Sequence, residues 1–86
     1  MITSMNFQGQ VCTLIDSRKG SLLKHEEEVE SFRGERMRLV GGKAPHKPSS
    51  EGKVFVEALG KDGTLQFRSQ YYASVIGAEW VPINEI

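Results

Sequence analysis

A chain of 86 residues, 38% hydrophobic and 26% charged, has room for one domain with a small core, which excludes both a second independent core and a disordered tail-like protein. Eleven basic and eleven acidic side chains cancel, so overall charge steers the molecule toward neither nucleic acid nor membrane, and any steering must come from local asymmetry. The single cysteine, Cys12, excludes an internal disulfide and a thiolate zinc cluster; with no basic leader and no run of about 18 apolar residues, a soluble cytoplasmic protein without membrane association is expected.

In chain order, "FQGQVCTLID" (7–16) is rich in β-branched and apolar residues and is followed by the turn-forming "SRKG", which predicts a first strand. "SLLKHEEEVESF" places Ser21 as an N-cap, with Leu22, Val29 and Phe32 on one helical face, and Gly34 can close the last turn. A short helical insertion over 21–33 is expected, with an irregular excursion between two strands as its rival.

"GERMRLVGG" alternates, Arg36 and Arg38 on one side and Met37 and Leu39 on the other, as in a half-buried strand. The Gly, Pro and Ser content of "GGKAPHKPSSEG" predicts a flexible exposed loop over 41–52. "KVFVEAL" and "TLQFRSQYY" flank Asp62 and Gly63, the strongest hairpin signal in the chain. Alternation on the second of these strands sends Leu65, Phe67 and Tyr71 inward and Gln66, Arg68 and Tyr72 outward; a charge at Leu65 or Phe67 should then unfold the domain. "EWVPI" is a terminal strand, held to an edge by Pro82, which lacks a ladder donor. Five short strands and one short helix in a chain this small predict a mainly β domain curled into a barrel, which removes the open edges.

The chemical candidates are sparse. His25 with Glu28 is a two-ligand fragment, His46 sits alone in the Pro-rich segment, and "HEEEVE" lacks the second histidine of a metalloprotease helix. Cys12 on a strand reads as a small core residue, and Ser49 and Ser50 have no elbow around them. No catalytic motif is complete, and neither metal nor cofactor is expected. Charge is more informative: residues 33–53 hold six basic side chains against Glu35 and Glu51, whereas residues 24–32 hold four glutamates against one lysine. Arg36, Arg38 and Arg68, with Tyr72 and the loop lysines Lys43 and Lys47, could form a groove for phosphates and stacked bases, or could simply solubilise a sheet face by pairing with carboxylates. Trp80 is expected in the core or at a subunit interface, and the apolar "SVIGAEWVPI" predicts a homodimer or homotetramer.

Two resemblances bear on this. "RGERMRLVGGKAPHKPSSEGKVFVEAL" is similar to the opening of small SH3-like barrels, KOW-type modules among them, which implies a five-stranded SH3-like barrel. "VEALGKDGTLQF" resembles the hairpin of the type II dihydrofolate reductases, small SH3-like barrels that assemble as tetramers around a pore. There Gln66 and Phe67 match the glutamine and aliphatic positions of the substrate strand, while Arg68 stands where that family has tyrosine. The chain therefore reads as a non-enzymatic, homo-oligomeric binding module that engages nucleic acid or a protein partner through Arg36, Arg38, Lys43, Lys47, Gln66, Arg68 and Tyr72. The alternative is an oligomeric enzyme that holds NADPH in a shared pore lined by Gln66 and Phe67.

Overall fold

The computed structural model describes residues 1–59 and 65–86, and for Leu65 and Gln66 the backbone alone. Among the described residues, seven strands form two antiparallel sheets. β1 (Thr3–Met5), β2 (Val11–Asp16) and β7 (Ala78–Pro82) make one in the order β1-β2-β7; β3 (Glu28–Glu30), β4 (Arg36–Lys43), β5 (Lys53–Leu59) and β6 (Leu65–Tyr72) make the other in the order β3-β4-β5-β6. The domain is mainly β, as expected. The described strands do not close into a five-stranded barrel: they are more numerous and shorter, and each sheet keeps two outer strands.

The extra strands come from turns that the apolar pattern hides. Residues 7–10 are a turn rather than the start of a strand: Asn6 Oδ1 accepts the backbone N–H of Gln8 and Gln10, Gly9 takes φ +78°, and the chain reverses so that Met5 pairs with Val11. The helix expected over 21–33 is also replaced. Ile15 bridges Leu22 and Leu23 N–H donates to Leu14 on the first sheet, then Glu26 N–H donates to Leu39 and Glu28–Glu30 joins β4. Glu26 at φ +69° breaks any helix there, and a β ladder outcompetes a short helix whose face would bury only three apolar side chains. Of those three, Val29 is buried, Leu22 half-buried and Phe32 exposed. Segment 21–30 thus laces the two sheets together.

Asp16 caps the turn after β2: its Oδ1 accepts the N–H of Arg18 at 2.9 Å and of Lys19 at 3.2 Å, and these donors hold the carboxyl below its ordinary range. A depressed folded-state pKa contributes stability above the unfolded value, about 4, and loses it as pH falls through the folded value. Thermal melts of Asp16→Asn should therefore show a flatter acid limb than wild type below about pH 4.

β5 pairs with β6 as the sequence predicts from Lys53 opposite Tyr72 to Glu57 opposite Arg68, and after a register shift the ladder resumes with Leu59 opposite Leu65, so the plain alternation expected over 65–72 does not run the full strand; the turn at Asp62 and Gly63 lies outside the described residues. β4 pairs with β5 through one irregularity, where two steps on β4 from Leu39 to Gly41 match one step on β5 from Val56 to Phe55. Val40 is the extra residue of this bulge. It resets the alternation, so that Arg36, Arg38, Gly41 and Lys43 share the outer face while Met37, Leu39 and Gly42 face the core.

Leu14, Leu39, Val54 and Val56 form the fully buried centre, joined by Cys12, Met37, Ala73 and Trp80. Thr13 is buried too, with its hydroxyl donating to the Ile2 carbonyl. Trp80 on β7 lies opposite Leu14 and donates from Nε1 to the Lys53 carbonyl at 3.2 Å. Two glycines make room for it: a Cβ at Gly42 would come within 2.7 Å of its Cζ2, and one at Gly52 within 2.5 Å of its Cδ1. β7 pairs with β2 alone, so Pro82 is at an edge as predicted, and Ile76, Ala78 and Trp80 of the segment expected to drive self-association are buried within the chain itself.

Phe67 departs from its expected burial. It lies on the core side of β6, beside Met37, Val56 and Tyr71, yet is 58% exposed. Burial on β5 ends at Val56, and the hairpin runs on past the covered part of its sheet. Phe67→Asp should accordingly stay folded, with a melting temperature within a few degrees of wild type. The unfolding predicted from alternation alone would mean that Phe67 is covered in solution. The matching prediction for Leu65 falls on a side chain outside the described residues.

Candidate functional site: a lysine and tyrosine cleft

The outer face of the four-stranded sheet collects the polar candidates, and strand register divides it into two zones. At one end, Glu28, Arg38, Glu57 and Arg68 stand in a row across all four strands, alternating in sign. Among the described residues, the ion pairs lie here. Arg36 grips Glu28 with two bonds, Nη2 to Oε1 at 2.7 Å and Nε to Oε2 at 3.1 Å, and Arg68 Nε meets Glu57 Oε2 at 3.0 Å. The Arg36 guanidinium pulls the Glu28 carboxyl below its usual range, and the Glu28 carboxylate in turn raises Arg36. Arg38 sits between Glu28 and Glu57 in register. Carboxylates therefore pair two of the three arginines of the expected groove and flank the third in register, and this zone is close to electrically neutral.

The other end is different. Lys43, Lys53 and Tyr72 form the last row of the same face, one residue from each of β4, β5 and β6. Tyr72 is 59% exposed, and Lys53 Nζ lies 6.0 Å from its ring centroid, within cation–π range. Tyr71, one residue earlier, lies opposite Val54 and packs against the core, so the tyrosines divide as alternation predicts.

The loop 44–52 walls this end. It is pinned at its start, where Ala44 N–H donates to Ser4 Oγ at 2.9 Å and Phe7 N–H donates to the Pro45 carbonyl at 3.0 Å. It is pinned again at its end, where the Glu51 carboxylate accepts the backbone N–H and hydroxyl of Ser74. Between those anchors His46, Lys47 and Ser49 are exposed. The result is a cleft of about 610 Å³ lined by Lys43, His46, Lys47, Lys53, Gln70 and Tyr72 among others. Among the described residues, Glu51 is its sole carboxylate and is already bonded to Ser74. Three ammonium groups beside an open aromatic ring and three serine side chains suit an anionic ligand with a flat apolar part.

Lys43, Lys47 and Tyr72 of the sequence-derived set thus meet in one cleft. Arg36, Arg38 and Arg68 share the face but not the cleft, and the side chain of Gln66 lies outside the described residues. Lys53 and Gln70 were not singled out from the sequence; their outward phase was visible, but their place beside Lys43 and Tyr72 depends on register across three strands. His25 and His46 are exposed, and among the described residues no three histidine, cysteine, aspartate or glutamate side chains converge as metal ligands. Burial pushes the Cys12 thiol above its ordinary value, which disfavours the reactive thiolate. Among the described residues, no helix is long and apolar enough to cross a membrane.

Compared with protein-family models, curated proteins and solved structures, the chain matches none.

Proposed function

We propose that this chain is a small non-enzymatic binding module that takes nucleic acid at the cleft of Lys43, Lys47, Lys53 and Tyr72. The observation that carries the proposal is the division of one sheet face: Arg36 and Arg68 are ion-paired with carboxylates and Arg38 stands in register between two of them, while the lysines gather around an open tyrosine ring where the one carboxylate is held by Ser74. Net charge is zero over the whole chain, so attraction to a polyanion has to come from such a local excess. The β4–loop–β5 unit that builds the cleft is also the stretch that resembles small SH3-like and KOW-type modules, and the proposal treats the domain as a module of that kind.

Titration with a short fluorescent oligonucleotide at low and moderate salt tests this. Three phosphate contacts predict a slope of about −2 in log affinity against log salt for a single strand. Lys43→Ala with Lys47→Ala should lower affinity and flatten that slope without changing the melting temperature, because both side chains are exposed. Binding of NADPH with no oligonucleotide binding would overturn the proposal in favour of the reductase-like alternative.

A further inference from the structure

We infer that the ligand is a single strand whose neighbouring bases lie on two rings, Tyr72 and Phe55; this rests on the nucleic-acid reading above. Strand register places Tyr72 opposite Lys53 and Gln70 opposite Phe55, so the two rings are diagonal neighbours on one face of adjacent strands. Such positions are about 7 Å apart, within reach of one another's aromatic side chains. Phe55 is half-buried on the side of the sheet that carries Lys43, Lys53 and Arg68. The Val40 bulge puts Gly41 opposite it, and a glycine adds no side chain over the ring; a Cβ at Gly41 would sit 3.6 Å from Phe55 Cδ2.

A second cleft, about 500 Å³, opens over Phe55 and is lined by His25, Glu26, Val40, Glu57 and Arg68 among others, and it shares Gln70 with the lysine cleft. The two clefts adjoin at Gln70, which lines both, and the inferred trough runs across them with a ring in each half. The Gln70 amide can donate to and accept from a base edge. Charge sets the placement. Phosphates belong at the lysine end, and the strand leaves the trough before the exposed Glu26 carboxylate and the neutral Glu57–Arg68 pair, where no excess of positive charge holds them. A duplex hides its base faces within its own stack, whereas a single strand presents them to side-chain rings. Because every base has such a face, the trough should tolerate sequence.

The experiment compares four probes by fluorescence anisotropy or competition: a short labelled oligothymidylate, the same strand with adjacent abasic positions, a duplex of equal length, and inorganic polyphosphate. The proteins are wild type, Tyr72→Ala, Phe55→Leu and Gly41→Val, the last building a side chain beside the Phe55 ring without removing it. The inference expects each substitution to weaken oligothymidylate binding on the order of 5- to 150-fold, with polyphosphate binding unchanged, and expects the abasic strand and the duplex to bind more weakly than the intact single strand. Equal binding of all four probes, indifferent to Phe55→Leu and Gly41→Val, overturns the two-ring platform and leaves a polyanion cleft. Binding of none of them overturns the nucleic-acid reading itself. Each variant's melting curve is recorded alongside, so that an affinity lost through unfolding is recognised as such.

Discussion

Gly52→Ala is expected to destabilise the domain severely. Gly52 takes φ +81°, where a side chain costs about 1–2 kcal/mol in backbone strain alone. The added Cβ would also meet Trp80 Cδ1 at 2.5 Å and the Lys43 carbonyl at 2.8 Å. Neither neighbour can yield cheaply. Trp80 is tied through Nε1 to Lys53 and hemmed on its far side by Gly42, and Lys43 is paired with Lys53 in the ladder. Overpacking of this kind adds about 1–3 kcal/mol or more. Urea unfolding should show a loss of about 2–5 kcal/mol. Gly9→Ala is the natural control: Gly9 has a similar φ of +78° but nothing within 4 Å of an added Cβ, so it should register backbone strain alone. Equal losses at the two positions would show that the Trp80 clamp contributes nothing.

Leu39→Ala should cost about as much, through the opposite defect. Leu39 is completely buried at the centre of the core, and its backbone holds the lacing segment on both sides: its N–H donates to Glu27 at 2.9 Å and its carbonyl accepts from Glu26 at 2.7 Å. Those bonds survive the substitution, so the expected loss of about 2–5 kcal/mol is that of a cavity. Against a total stability of about 5–15 kcal/mol for a domain, this is a large fraction. Calorimetry should show a melting temperature lower by about 10 °C or more. A shift of only one or two degrees would mean that the surroundings of Leu39 collapse into the space.

How much of this was legible in the residues alone follows from the range of the interactions involved. The β5–β6 pairing announces itself locally, because two alternating runs flank a turn dipeptide. Pro82 marks an edge for an equally local reason. The lacing segment was missed although "EVE" at 28–30 alternates as a strand should; three residues are too few to outweigh a helical spacing over twelve, and what decides between them is the ladder with β4, a distant partner. Phe67 was placed on the correct side of its strand but credited with burial, since alternation reports the side a residue faces and not whether anything covers it. The cleft was half visible. Lys43, Lys47 and Tyr72 stand out by charge and by phase, whereas Lys53 joins them only through register, and the neutralising of Arg36 and Arg68 depends on carboxylates 8 and 11 residues away.

The single extra residue at Val40 carries a consequence for variation in length. Upstream of it the even-numbered side chains of β4 point to solvent; downstream the odd-numbered ones do. Losing Val40 would remove the bulge and leave Lys43 facing outward, whereas gaining one residue between 40 and 43 would invert the downstream phase, driving the Lys43 ammonium toward the indole of Trp80 and turning the glycine gap outward. One added residue in the chain would thus erase the charged mouth and crowd the tryptophan together, so ligand capture and folding share this one point of failure.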